Sequence, residues 1–316
     1  MTMFAFGPVP SRRLGRSIGI NNIPPKNCTY SCVYCQVGQT TEMSTARRRF
    51  FEPDSIQRDV SEKLQQAEAV NTRVDYLTVV PDGEPTLDEN LEELLKKLRN
   101  HGVSIAVISN SSLIWNPEVR HALQSADWVS LKIDSVNKNT WRRIDRPHGK
   151  LSLNRILEGI SEFSENYKGK LVTETMLVRD INDIPDELHA IGEFLEHIEP
   201  DCAYISIPTR PPAESWVRAP SEDSVSAAYN ILAEHLANVA YLIEYEGDEF
   251  TQTDSAESDF LNILSVHPMR DTAAIKFLSE TGKSEAILKE LIRSRAVKQT
   301  VYNGQVFYIR RFSGKS

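Results

Sequence analysis

The chain has 316 residues, 40% hydrophobic and 25% charged, which excludes a disordered or fibrous protein and suits one domain of about 250 residues with a small companion, or two medium ones. No run approaches the roughly 20 apolar residues of a membrane span, and the apolar start of MTMFAFGPVPSRR is too short for a signal peptide, so no membrane and a cytoplasmic location are expected. The net charge of −8 is uneven, with +6 over 1–50, +6 over 266–316 and −20 between; the basic ends either face an anionic partner or reflect ordinary variation along a chain.

In chain order, short apolar runs alternate with helical stretches from about 15 to 210. The strand candidates are SIGIN (17–21), VDYLTVV (74–80), VSIAVIS (103–109), DWVSLKI (127–133), LVTETMLV (171–178) and CAYISIP (202–208). The helix at 88–102 is the clearest between them: Leu91, Leu94, Leu95 and Leu98 form one stripe and Gly102 is its C-cap. Residues 151–163 and 183–198 behave likewise. A repeated βαβ order implies right-handed crossovers and a parallel sheet. Six such units make either an open doubly wound sheet or part of a (β/α) barrel, and both collect ligands at the C-terminal ends of the strands.

The pattern changes after about 215. Residues 221–239 read as one more helix, and 241–250 as a strand or an extended connection. Three short helical patterns follow, at 255–265, at 271–281 with Gly282 at its end, and at 284–295. Asn303-Gly304, between two alternating apolar runs within 296–312, signals a hairpin. Three short helices and a hairpin are the order of a winged helix. The boundary is placed near 245–255, giving an α/β domain over 1–250 and a winged-helix-like domain over 251–316.

NCTYSCVYCQVG (27–38) gathers three of the four cysteines into eight residues. Its loop follows the first strand, at the rim where chemistry collects. Three thiolates can hold three irons of a [4Fe–4S] cube, leaving the fourth iron for a small molecule. The alternatives are zinc with Cys202 as a fourth ligand, or chance clustering of buried thiols.

CTYSCVYC resembles the C-x3-C-x2-C loop of the radical S-adenosylmethionine (SAM) superfamily, including the aromatic Tyr34 before the last cysteine. DGEPTL (82–87) follows the second strand, where that superfamily carries its Gly-Glu motif; ISNSS (108–112) ends the third strand and SLKIDS (130–135) the fourth. The resemblance covers about 10–210. With GPVPSRRLGRSIGI it is nearest to a group of Fe–S oxidoreductases related to wyosine-tRNA synthesising enzymes. It implies a partial (β/α)6 TIM-like barrel in which Cys28, Cys32 and Cys35 ligate a [4Fe–4S] cluster and SAM chelates the fourth iron. It further implies that Gly83, Glu84 and Pro85 line the methionine amino group, and that Ser109 and Asn110 meet the ribose or carboxylate. Lys132 or Asp134 would meet the carboxylate or ribose, and Tyr34 and 207–209 would flank adenine. The activity implied is reductive SAM cleavage and hydrogen abstraction, with a flavodoxin- or ferredoxin-type electron donor.

Only four cysteines are present, so an auxiliary cluster, and the activities that depend on one, are not expected. The substrate is not legible: RNA, a peptide and a small metabolite all remain. Arginines at 12, 13, 16, 47–49, in WRRIDRPHG (141–149) and in TRPP (209–212) either grip phosphates or pair with the acidic body. His148 is either a proton donor or a structural histidine. The +6 C-terminal segment, with Tyr302, Phe307 and Tyr308 on its hairpin, is a candidate nucleic-acid module or a protein-contact module. The competing reading of the whole chain is a non-enzymatic Fe–S or zinc-binding nucleic-acid regulatory protein.

Overall fold

A computed structural model describes residues 4–243, 256–266, 268–279 and 284–310. The chain opens with an antiparallel pair, β1 (Ala5–Ser11) and β2 (Gly15–Ile20). Two short strands, β3 (Asn27–Cys28) and β4 (Glu42–Met43), pair across the cysteine loop. After α1 (Pro53–Ala69) come β5 (Tyr76–Val79), α2 (Leu91–Leu98), β6 (Ser104–Ser109), α3 (Pro117–Leu123), β7 (Trp128–Lys132), α4 (Lys138–Ile144) and α5 (Leu153–Asn166). Then follow β8 (Lys170–Met176), α6 (Pro185–Ile198), β9 (Cys202–Ser206), α7 (Glu222–His235) and β10 (Val239–Leu242).

The main sheet has the order β1-β2-β5-β6-β7-β8-β9-β10, and every neighbouring pair except β1–β2 is parallel. The six expected strands are present, and an edge strand is added on each side. The parallel strands follow one another without a reversal. Right-handed crossovers therefore place the helices on one face, and no topological switch point exists. That decides the alternative left open by the sequence: the sheet is singly wound, and its free face is an interior.

Alternation along each strand sorts the side chains. Leu77, Val79, Ile105, Val107, Val129, Leu131, Ala203 and Ile205 point outward into the main core, where the helices meet them. The α2 stripe, Leu91, Leu94, Leu95 and Leu98, is fully buried there; each such leucine contributes roughly 1.5–3 kcal/mol. The helix expected over 88–102 ends at Leu98 and tightens into a 3-10 turn, Arg99–His101, closed by Gly102 at φ +68°. The opposite register faces inward. At the bottom, Leu14, Ala106, Trp128 and Val172 form a small apolar layer, against which the half-buried Cys202 and Tyr204 pack.

The C-terminal residues form α8 (Ala256–Val266), β11 (Met269–Arg270), α9 (Asp271–Ser279), α10 (Ser284–Arg293), β12 (Val297–Tyr302) and β13 (Gln305–Arg310). The strands make an antiparallel sheet, β11-β13-β12. Asn303 (φ +47°) and Gly304 (φ +72°) form the expected two-residue turn, because both positions need positive φ. A separate core gathers Phe260, Ile263, Phe277, Leu278, Leu291 and Tyr308, with Val9 of β1 packed against it. Lys63 of α1 and Asp259 of α8 form a buried ion pair at 2.8 Å, and the Tyr302 hydroxyl donates to the Pro208 carbonyl at 3.0 Å. Gly282, the 245–255 boundary and residues 244–250 of the expected strand or connection lie outside the described residues. Among the described residues no helix is long and apolar enough to cross a membrane.

Candidate functional site

The cysteine loop is held on two sides. Lys26 N donates to the Asp82 carbonyl (2.7 Å) and Glu84 N to the Asn27 carbonyl (3.1 Å), which fixes the loop to the end of β5. Glycine is required at position 83, because a Cβ there would lie 2.0 Å from the Asn27 oxygen. On the other side, Ser31 N and Val33 N donate to the Asp145 (3.0 Å) and Ile144 (2.9 Å) carbonyls at the end of α4. Turns bonded from Cys35 N to Cys32 O and from Gly38 N to Cys35 O, both 3.1 Å, space the thiols.

Cys28, Cys32 and Cys35 line one cavity of about 380 Å³, at the C-terminal ends of the strands and reaching down into the sheet interior. Of the residues singled out in the sequence, Tyr34, Gly83, Ser109, Asn110, Lys132 and residues 207–209 line it too. Glu84, Pro85 and Asp134 do not; they stand behind its wall. Glu84 is fully buried and accepts from Thr86 N (3.0 Å), Thr86 Oγ1 (2.6 Å), Ser109 Oγ (2.8 Å) and Asn110 N (2.7 Å). Its carboxylate thus ties the end of β5 to the end of β6, and the expected acceptor for an amino group is already engaged. Burial raises its pKa, opposed by those four hydrogen bonds. The Pro85 carbonyl accepts from Asn22 Nδ2 at 3.0 Å.

Asp134 accepts a short hydrogen bond from the Tyr34 hydroxyl and another from Met176 N at 2.7 Å. Burial, and then Asp134 itself, push Asp145 well above the usual carboxylate range. Asn110 does not cap the next helix; Asn116 does, accepting from Glu118 N at 2.9 Å. Instead Asn110 Nδ2 donates to Thr29 Oγ1 (2.8 Å) and to the Cys28 sulfur (3.5 Å), steadying the cysteine loop.

Sequence reasoning missed two charged groups. Lys26 Nζ and both Asp82 carboxylate oxygens are buried in the cavity wall without a hydrogen-bond partner, with Nζ and Oδ1 3.5 Å apart. Burial pushes Asp82 up to about 6 despite Lys26. Its signal was its place directly before Gly83. The second group is Glu174, which faces inward from β8. It accepts from Lys132 Nζ (3.1 Å), Arg13 Nη1 (2.6 Å) and Ser206 Oγ (3.0 Å), and Arg13 Nη1 also reaches Ser130 Oγ at 3.4 Å. Burial opposes both charges, but Lys132 and Arg13 outweigh it and hold Glu174 well below its usual range; Glu174 and Asp134 likewise hold Lys132 above its own. The signal was a carboxylate between Val172 and Met176, the apolar residues that share its face of β8.

The remaining candidates scatter. Arg12 and Arg210 line the cavity with Arg13. Arg16 is exposed, Arg47 pairs with Glu118 at 2.7 Å and Arg48 with Glu42 at 2.5 Å. His148 Nδ1 accepts from Lys150 N at 3.2 Å and does not line the cavity, nor does Cys202. Burial raises all three rim thiols, Cys28 to about 12, so they hold their protons until a positive group compensates. Among the described residues no group of three or more His, Cys, Asp or Glu side chains is gathered as a single-ion site. Three thiols on one wall, with one mobile proton each to displace, instead suit a group that spreads several metal atoms across that wall.

Comparison with known proteins agrees with this geometry. The chain is 41% identical over 313 residues to "UPF0026 protein MJ1312" of Methanocaldococcus jannaschii, covering 98% of this chain and 97% of that one. It is 30% identical over 315 residues to a protein of Brachyspira hyodysenteriae named "GTPase Obg", covering 97% of this chain but 45% of that one. Among solved structures, "Structure of TYW1 with a lysine-pyruvate adduct bound" shares the fold with a TM-score of 0.52 at 18% identity, over 70% of this chain and 74% of that one. The sequence pattern of the Radical SAM superfamily matches residues 22–195, from before the cysteine loop to α6, and the chain belongs to that superfamily.

Proposed function

We propose that the protein binds one [4Fe–4S] cluster through Cys28, Cys32 and Cys35, with SAM on the remaining iron, and that it abstracts hydrogen from a substrate held in the sheet interior. When bound, the cluster supplies the electron that splits SAM into methionine and a 5′-deoxyadenosyl radical. The observation that carries this reading is one cavity lined by three thiols and by an unpartnered, buried Lys26–Asp82 pair. Burying such charges without hydrogen bonds is costly. SAM supplies complementary groups: its carboxylate suits Lys26, and its amino N–H groups suit Asp82. Gly83 keeps the backbone close to that end. Asn110 steadies Cys28, and Tyr34 with residues 207–209 forms the side of the cavity offered to adenine.

The architecture fits an incomplete (β/α) barrel with a winged-helix-like unit over 251–316. Tyr302 sets that unit against Pro208, beside the cavity. A basic unit in that position suits delivery of an RNA or a peptide to the mouth. A flavodoxin- or ferredoxin-type protein is the electron donor we assign.

The test is anaerobic reconstitution with iron and sulfide, reduction, addition of SAM and assay for 5′-deoxyadenosine and methionine. Products above the background of the triple-cysteine variant are expected. A reduced, cluster-loaded protein that forms none, and whose cluster EPR signal SAM leaves unchanged, would overturn the assignment.

A further inference from the structure

We infer that the floor of the cavity is an oxyanion seat, and that the substrate presents a carboxylate or phosphate to Arg13 and Lys132; the inference rests on the SAM-cleaving reading above. The first support is what fills the interior. A closed barrel packs this space with branched apolar side chains. Here the bottom layer is apolar, but the layer above it carries Ser17, Thr78, Ser130 and Glu174, with Lys132 and Ser206 over them, and it opens into the cavity. A buried ion cluster is no better than apolar filling as a source of stability.

The second support is charge. Arg13 and Lys132 both pair with one carboxylate, Glu174, so among the described residues two cations meet one anion at the floor. Two cations on one carboxylate leave a net positive charge at the floor, which favours an anion there.

The third support is geometry. One carboxylate, Glu174, serves two cations. Both side-chain hydrogen bonds of Arg13 leave from Nη1, so among the described residues Nε and Nη2 donate to none. The guanidinium is braced by the rings of Trp128 (5.6 Å) and Tyr204 (5.7 Å). A planar donor fork held in place, with donors to spare, is suited to a second oxyanion.

Holoprotein carrying cluster and SAM is titrated calorimetrically with succinate and with glycerol 3-phosphate, each against its neutral counterpart, succinamide or glycerol. Saturable binding of one anion and not of its neutral counterpart is expected, and which anion binds separates a carboxylate from a phosphate seat. Arg13→Gln weakens that binding tenfold or more. Arg13→Gln with Glu174→Gln removes the pair together, keeps the floor free of an unpaired carboxylate, and also fails to bind. Equal binding of anion and neutral counterpart, no binding of either anion, or unchanged binding in both variants overturns the seat. Product assay on the wild-type protein keeps the two readings apart: anion binding without SAM cleavage sinks the function and leaves the seat, while cleavage without anion binding does the reverse.

Discussion

The upper wall of the cavity and its floor each bury a glutamate, and the two are built in opposite ways. Glu84, in the wall, is met by four neutral donors, two from Thr86 and two from the end of β6, and does not line the cavity. Glu174, at the floor, is met by two cations and a hydroxyl from three other segments, and it lines the cavity. The first shapes a loop; the second holds charge where a ligand can reach it. The motif marks Glu84, while the cavity lining includes Glu174, which no motif marks.

The strongest way to test the wall is to remove its thiols. Cys28→Ala, Cys32→Ala and Cys35→Ala each abolish the [4Fe–4S] absorbance and EPR signals of the reconstituted protein, and Cys202→Ala retains both. Loss of the cluster in Cys202→Ala would show that the ligand set is wrong. The next largest effects fall on the two glutamates. Glu84→Ala leaves buried donors on Thr86, Ser109 and Asn110 without an acceptor and costs about 3 kcal/mol or more in urea denaturation. Glu174→Gln leaves two cations sharing a neutral amide and costs a similar ~3–5 kcal/mol. The comparison sharpens in the rescue: adding Arg13→Gln recovers stability in the Glu174→Gln protein and gives nothing to Glu84→Ala. Rescue of both, or of neither, would erase the distinction between a loop clamp and a charge pair.

Asp82→Asn tests the wall more finely. The amide keeps the volume and one acceptor but loses the charge facing Lys26. Cluster content stays at the wild-type level, while SAM affinity measured by equilibrium dialysis falls about tenfold. Unchanged affinity would return the amino-group contact to the backbone at Gly83.

Much of this was legible in the sequence, for physical reasons. Strands buried on both faces read as apolar runs, and the α2 stripe reads at a spacing of three and four. β1 escaped because Pro8 and Pro10 break its pattern, which only an edge strand tolerates. β10, Val239–Leu242, begins two residues before the strand or connection expected at 241–250, because Val239 reads as the end of the apolar stripe of α7. The cysteine loop was legible because its spacing is local. The floor was not, because Arg13, Lys132, Glu174 and Ser206 come from a turn and three strands, and only the singly wound order brings them together. Lys26 and Asp82 are likewise 56 positions apart and meet through one backbone hydrogen bond.

The smallest expected effect concerns the seam between the main sheet domain and the C-terminal unit. Tyr302→Phe removes one hydrogen bond, from the hydroxyl to the Pro208 carbonyl, and keeps the ring. A single bond of this kind contributes about 1 kcal/mol, so global stability falls only slightly. Hydrogen exchange is the sharper measurement. If the hydroxyl holds the hairpin against the rim, amides in 207–210 and 300–305 exchange faster in the variant, while those of β12 paired deeper in the hairpin do not. If the seam is instead carried by the buried Lys63–Asp259 pair and by Val9, exchange at 207–210 stays unchanged, and the C-terminal unit is anchored to the β1 edge alone rather than to both sides of the cavity mouth.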